Sequence, residues 1–195
     1  MIRKILLLTT IGLFCFEMYC QVIPPVNCTS AIQVCDSVII QDTLKVAIDS
    51  TADEISSNSC LTFGEIRGTW YQFGVNDTGN LRFTITPFDT LADFDWALYR
   101  IDWGNCTDIF GMPSYEVSCN ESGVGGGFYT TGASGLAQQG HNPAIHLATP
   151  AVFYLYITTS LQDTGALLGY TVDFSASDFD LVGCAEIGIE EENEN

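Results

Sequence analysis

The chain has 195 residues, of which 24 are acidic and 6 are basic, so its formal net charge is −18 at pH 7. Such an excess of negative charge repels nucleic acid and anionic membrane surfaces, and it therefore excludes these as partners. It suits a protein that must stay soluble outside the cell, or one that gathers divalent cations.

The first 20 residues predict a secretory signal peptide. Arg3 and Lys4 give a positive start, and residues 5–16 form an apolar core that is too short to span a bilayer. We expect cleavage between Cys20 and Gln21, and a lipid anchor on Cys20 is the alternative. Later in the chain, no run approaches the ~18 apolar residues of a membrane helix. The sequence thus predicts export to the cell surface, the extracellular space or the periplasm, without membrane insertion.

Six cysteines follow this leader, and an even number in an exported chain predicts three disulfides. The predicted pairs are Cys106–Cys119, Cys35–Cys60 and Cys28–Cys184. The first would close a short loop between neighbouring strands, and the last would tie the two ends of the domain together. A zinc site is the alternative, but the chain has no CxxC pair and its cysteine spacings are irregular.

Apolar and polar residues alternate with a period of two along much of the chain, and helical periodicity is almost absent. The predicted strands are residues 69–75, 80–87, 94–101, 151–159 and 169–176. They are rich in β-branched and aromatic residues, and turn signals separate them. Residues 76–80, "NDTGN", predict a hairpin loop. The pattern predicts one all-β domain over residues 21–184, an antiparallel β-sandwich or jelly roll stapled by disulfides.

Two regions break this rhythm. Residues 120–150 are rich in glycine and predict one or two long loops, which on a sandwich are a common place for ligand contacts. Residues 185–195, "AEIGIEEENEN", are acidic and predict a disordered linker or tail.

A family resemblance is carried by a series of motifs: "NCTSAIQVCD", "NSCL", "GEIRGTWYQF", "TGNLRFTITP", "DFDWALYRI" and "VSCNESG". In this order, over about residues 27 to 176, they resemble exported β-sandwich modules of the bacterial pre-peptidase C-terminal type. Such modules occur in surface proteins of gliding, type IX-secreting bacteria. The resemblance implies an accessory domain of a secreted hydrolase as one role. Members usually carry two adjacent acids where this chain has Ala92 and Asp93, which weakens any metal site that the resemblance implies.

A shorter resemblance lies in the tail. "IGIEEENEN" resembles the linker that precedes a type IX sorting domain, which favours a cell-surface or released protein. The triplets at residues 36–38, 42–44, 49–51 and 89–91 resemble bacterial O-glycosylation acceptors; the alternative is that such short patterns arise by chance in a chain rich in Asp and Thr.

The stretch "LADFDWALYRIDW", residues 91–103, offers a metal site. As a central strand it would place Trp96 and Leu98 in the core and Asp93 and Asp95 on one face, with Cα atoms about 6.5–7 Å apart. Joined by Asp89 or a loop carbonyl, these carboxylates could hold Ca²⁺. The alternative is structural, with Asp95 solvated or bonded to nearby amides. The spacing also fits a glycosidase pair, but a small sandwich rarely supplies the cleft.

Other catalytic signals are weak. His141 and His146, in "HNPAIH", do not match a helical metal-binding pattern, and we interpret them as structural, with weak metal binding as the alternative. Ser134, in "GASG", is one glycine out of register for a nucleophile elbow. "GVGGG" opens no helix, so it does not predict a phosphate site. The sequence therefore predicts no enzyme.

Aromatic residues give the last candidates. Trp70 and Trp96 lie in core-like alternation. The aromatics that flank loops, and that could stack on a sugar, are Trp103, Tyr115, Phe128 and Tyr129. The sequence thus predicts an exported, non-enzymatic binding, adhesion or structural module for an extracellular protein or glycan. The alternatives are the accessory domain above and a calcium-dependent carbohydrate-binding module.

Overall fold

Most of the described chain is extended, because the β-branched and aromatic residues that favour a pleated surface recur along it. The structure is a computed structural model. It describes residues 27–34, 39–44, 55–56, 58–61, 68–90, 92–121, 130–136, 140–159 and 169–182. The strands are β1 (Ile32–Gln33), β2 (Ile39–Thr43), β3 (Gly68–Val75), β4 (Gly79–Leu81), β5 (Thr84–Pro87), β6 (Phe94–Arg100), β7 (Glu116–Asn120), β8 (Thr131–Gly132), β9 (Ile145–Leu147), β10 (Ala151–Thr159) and β11 (Gly169–Asp173).

These strands form two packed sheets. The first has the order β1-β3-β10-β6-β7 and the second the order β2-β11-β5-β8, while β4 pairs with β9. Every pairing is antiparallel except that of β1 with β3. The all-β sandwich predicted from the sequence is confirmed.

Strand β6 is central, as predicted, because it lies between β10 and β7. Trp96 and Leu98 are fully buried between the two sheets. The opposite face of β6 is buried as well, since Ala97 and Tyr99 belong to a second core. Asp95 lies on that opposite face and is only 4% exposed, so the expectation of a solvated Asp95 is wrong.

The second core lies on the outer face of the first sheet. Its centre is Trp70, whose ring centroid is 4.8 Å from that of Tyr156 and 5.7 Å from that of Tyr99. Residues of the connecting segments cover these rings, among them Leu61 and Ile109. The domain is therefore a sandwich with a further layer of non-strand chain on one side.

The predicted hairpin at residues 76–80 is wrong. Strand β3 does not pair with β4, which instead pairs with β9 through Leu81 opposite Ile145. The predicted strand 80–87 is also interrupted between β4 and β5. There the Arg82 N–H donates to Ser177 Oγ at 2.9 Å, and Ser177 Oγ donates to the Arg82 carbonyl at 2.8 Å. The side chain of Ser177 thus makes the hydrogen bonds that a neighbouring strand would otherwise make with Arg82.

All three predicted disulfide pairs are wrong. Cys28 is bonded to Cys106 and Cys60 to Cys119, with Cα–Cα distances of 5.8 and 6.1 Å. Between Cys106 and Cys119 the chain makes 3-10 turns before β7 begins, so the two residues do not face each other across a simple hairpin. Cys35 lies outside the described ranges, as does Cys184. The disulfides exclude the zinc alternative for the four bonded cysteines and indicate an oxidising, extracellular type of environment.

Several predictions fall beyond the described residues: the leader at residues 1–20, the tail at 185–195, and the candidates Phe128 and Tyr129. Of the glycine-rich region 120–150, the structure describes β8, β9 and their surroundings. In the ranges that the structure describes, we find no helix long and apolar enough to cross a membrane.

Candidate functional site: the Trp103 surface

Trp103 is the exposed tryptophan of this chain. It follows the end of β6 and is 87% exposed, whereas Trp70 and Trp96 are fully buried. A large aromatic ring left in solvent is unusual for a residue type that is highly buried on average. The structure therefore agrees with the sequence in separating Trp103 from the two core tryptophans.

The backbone of Trp103 is fixed by its neighbours. The Tyr115 hydroxyl donates to the Trp103 carbonyl at 2.9 Å, and the Asn105 N–H donates to Asp108 Oδ2 at 3.0 Å. Between them, Gly104 has a φ of 104°, a conformation that favours glycine, and a Cβ there would lie 2.7 Å from Asp108 Oδ2. The indole is thus presented by an ordered turn, which lowers the entropic cost of binding.

Charged groups next to Trp103 in the chain are held by hydrogen bonds. Arg100, the last residue of β6, donates from Nε to Asp102 Oδ1 at 2.8 Å and from Nη2 to Thr149 Oγ1 at 2.7 Å. Both members of the ion pair remain partly exposed, so the pair adds little stability, about 0.2–1 kcal/mol. Its consequence is a set of oriented hydrogen-bond donors and acceptors next to Trp103.

Two clefts meet at these residues. One has a volume of about 450 Å³ and reaches toward Asn76 and Thr149, and the other, of about 400 Å³, reaches toward Tyr115. Arg100, Asp102 and Trp103 line both clefts. Each volume lies in the range of ~300–1,000 Å³ that is usual for small-molecule sites. We call Arg100, Asp102, Trp103, Tyr115 and Thr149 the Trp103 surface.

The three carboxylates predicted to bind calcium do not come together. Asp89 is exposed in the connection after β5, Asp93 precedes β6, and Asp95 is buried on the outer face of the first sheet. Of the described residues, the group of three metal-ligating side chains with ligand atoms within 4.8 Å of one another is Cys60, Glu116 and Cys119.

That group offers a poor metal site, because Cys60 and Cys119 share a disulfide. Glu116 accepts a hydrogen bond from the Cys60 N–H at 3.3 Å and lies near Tyr99. Burial raises the pKa of the Tyr99 hydroxyl. These contacts give Glu116 a structural role on the outer face of the first sheet.

The two histidines have different surroundings. His146, on β9, is exposed, whereas His141 is bonded on both sides of its ring, to Ser134 and to Thr130. The contact between His141 and Ser134 was not predicted from the sequence, because the two residues are seven positions apart and no motif joins them.

No family model matches the chain, and no curated protein matches it significantly, so the resemblance to pre-peptidase C-terminal modules stays a prediction.

Proposed function

We propose that this chain is an exported glycan-binding module and that its Trp103 surface contacts the ligand. The observation that carries the proposal is the 87% exposed indole, held by its turn between two clefts that share Arg100 and Asp102. The task of this surface is binding, in agreement with the non-enzymatic role predicted from the sequence.

The chemistry of the surface suits a sugar ring. A pyranose has an apolar face of C–H groups, which packs on an aromatic ring, and a rim of hydroxyls. The indole of Trp103 supplies the ring, and an indole brings a large apolar area in a rigid form. The Arg100 guanidinium donates hydrogen bonds, and the Asp102 carboxylate accepts them. The surface therefore offers both a donor and an acceptor to a sugar hydroxyl.

The net charge narrows the class of glycan. At −18 the chain repels uronic acids and sulfated sugars, so the expected ligand is neutral. Because the predicted calcium ligands are dispersed, we expect binding that does not depend on calcium, unlike that of the calcium-dependent module considered above.

Export is part of the proposal. The predicted signal peptide and the two disulfides support a protein that works on the cell surface or beyond it. The neutral glycan would then belong to the surroundings of the cell or to its own envelope.

An array of neutral oligosaccharides and polysaccharides, probed with and without EDTA, tests this proposal. We expect binding in both conditions. Trp103→Ala should weaken the affinity about 30-fold, the equivalent of about 2 kcal/mol, since buried aromatic anchors carry such energies in interfaces. The matched control is Phe88→Ala, which removes another exposed aromatic ring, 61% exposed, after strand β5 of the second sheet.

Two results would contradict the proposal. The first is an absence of binding to any neutral glycan. The second is binding that Trp103→Ala leaves unchanged, or that Phe88→Ala weakens to the same extent, because the ligand would then lie elsewhere on the domain.

A further inference from the structure

Ser134 and His141 form a pair that lies outside the Trp103 surface. Ser134 Oγ is 2.5 Å from His141 Nδ1, and Thr130 Oγ1 is 2.9 Å from His141 Nε2. A serine hydroxyl, an imidazole and a third group that orients the imidazole are the parts of an activated nucleophile. The chain thus holds the components of a nucleophilic site.

The protonation of the imidazole suits this role. Burial lowers the pKa of His141, and a smaller effect, a hydrogen bond to the backbone of Thr130, raises it. In the tautomer that carries its hydrogen on Nε2, the ring donates that hydrogen to Thr130 Oγ1. Nδ1 is then the free acceptor that faces Ser134.

The Ser134 hydroxyl has one proton to give. The Leu136 N–H donates to Ser134 Oγ at 3.3 Å, so that oxygen already accepts a hydrogen bond from the backbone. In that tautomer the Ser134 hydroxyl can donate its own proton to Nδ1, and a neutral imidazole can remove it. This is the arrangement of nucleophile and general base.

The loop that carries the pair is tied together by its backbone. The Gly132 N–H donates to the Gly140 carbonyl at 3.2 Å, the Asn142 N–H to the Gly132 carbonyl at 2.8 Å, and the Gly135 N–H to the Asn142 carbonyl at 3.0 Å. Gly132 has a φ of 143°, and a Cβ there would lie 2.3 Å from the carbonyl oxygen of Phe83. These contacts fix the distance between the two side chains.

A cavity of about 600 Å³ opens onto the pair. Leu136, Pro143 and Ala144 give it an apolar wall, which fits a short acyl chain. Arg82 also lines the cavity, and its guanidinium is paired with Asp178 and donates to the Ala176 carbonyl at 3.0 Å.

We propose that Ser134 is a nucleophile, with His141 as its general base, for hydrolysis of short-chain carboxylic esters. Ser134 Oγ attacks the carbonyl carbon while His141 Nδ1 takes the hydroxyl proton. The C–O bond to the alcohol breaks, and the leaving alkoxide takes that proton from His141. Water then attacks the acyl carbon while His141 takes its proton, the bond from that carbon to Ser134 Oγ breaks, and Oγ takes the proton back as the carboxylic acid leaves. This site is independent of the glycan-binding function.

A fluorophosphonate probe tests the proposal on the unmodified mature protein. Attack by Ser134 forms a bond from Oγ to phosphorus and expels fluoride, and mass spectrometry then locates the label. We expect the label on Ser134, and we expect His141→Asn to slow labelling about 100-fold, the lower end of what a general base supplies. Ser114→Ala is the matched control, since Ser114 is an exposed serine beside the Trp103 surface, and it should label at the rate of the unmodified protein.

The pH dependence gives a second readout. Labelling should slow as the pH is lowered through the range below 6.5, where the imidazole gains a proton. Arg82 is the other ionisable group among the described residues that line the cavity, and it is paired with Asp178. No label on Ser134 under any of these conditions would overturn the proposal. Equal labelling rates for the unmodified protein and the His141→Asn variant would overturn the role of the imidazole as general base.

Discussion

Tyr71 shows how a single hydroxyl joins the two sheets. It lies on β3 of the first sheet, and its OH donates to Asp42 Oδ2 on β2 at 2.9 Å and lies 2.7 Å from the Tyr170 hydroxyl on β11. Both β2 and β11 belong to the second sheet. Burial, followed by the neighbouring Tyr170, raises the pKa of Tyr71 far above its usual range, so the hydroxyl stays neutral and can donate.

We expect Tyr71→Phe to lower the free energy of unfolding by about 1–3 kcal/mol, because it leaves buried polar groups with one partner fewer. Urea denaturation measures this. Tyr154→Phe is the control, since Tyr154 is half-buried on the outer face and the structure gives its hydroxyl no hydrogen bond within the described residues; its effect should stay within about 0.5 kcal/mol. Equal losses in the two variants would show that the hydroxyl of Tyr71 does not link the sheets.

The two faces of strand β6 were predicted correctly, but the chain that packs on its outer face was not. Alternation along residues 94–101 placed Trp96 and Leu98 in the core, and it placed Asp95 on the other face, which is where the structure has it. The cover over that face comes from distant segments, such as those holding Leu61 and Ile109. A period-two pattern describes one strand and its own two faces, so it cannot report which parts of the chain pack against them.

At the scale of elements, strand β3 pairs with β10, and Gly68 lies opposite Thr158. A Cβ on Gly68 would lie 2.2 Å from the ring of Tyr156, which is itself packed against Trp70. The ring has little room to move, because it is buried. A side chain at position 68 would therefore disturb the packing on the outer face of the first sheet.

Gly68→Ala should destabilise the domain by about 1–3 kcal/mol, the usual cost of overpacking a core. The matched variant is Gly111→Ala, where a Cβ would meet nothing closer than 4.0 Å and the backbone needs no positive φ. Thermal unfolding compares the two. A Gly68→Ala protein as stable as the Gly111→Ala protein would contradict the packing of Tyr156 on the first sheet.

The segments next to Cys35 and Cys184 pack on the same strand. Cys35 and Cys184 are not among the described residues, but the described residues nearest to them meet on one strand. The Val34 N–H donates to the Gln72 carbonyl at 2.8 Å, and the Val182 N–H donates to the Gly74 carbonyl at 3.0 Å. Strand β10 occupies the other edge of β3, so both contacts lie on the same edge.

We therefore expect Cys35 and Cys184 to be bonded to each other, which keeps the prediction of three disulfides while replacing its pairs. Peptide mapping without reduction should yield a crosslinked peptide containing Cys35 and Cys184. Free thiols at these two positions, or a crosslink to any other cysteine, would contradict the expectation. The pairs predicted from the sequence were different, because spacing along the chain does not show which segments share a strand edge.

At the scale of the whole molecule, the domain is built in three layers: two sheets with an aromatic core between them, and a layer of connecting chain over the outer face of the first sheet. Both observed disulfides join parts of that outer region. The sequence predicted the sandwich and the presence of disulfides, since strand patterns and cysteine counts are local signals, but the predicted pairs were wrong. The outer layer depends on contacts between distant segments and was not predicted.

The same arrangement accounts for the site. The sequence placed Trp103 next to a loop. The other two tryptophans are buried in separate cores, so Trp103 is the exposed tryptophan. The clefts on either side depend on where β3, β6 and β10 end relative to one another, which only the assembled sheet shows. A bound glycan should therefore cover this indole.

Acrylamide quenching of tryptophan fluorescence tests that claim most directly. The chain has three tryptophans, and because Trp70 and Trp96 are fully buried, this neutral quencher should reach Trp103 alone. We expect a saturating amount of a neutral oligosaccharide that binds on the array to lower the quenching slope to nearly that of Trp103→Ala. A slope that stays unchanged while the oligosaccharide is bound would contradict the account.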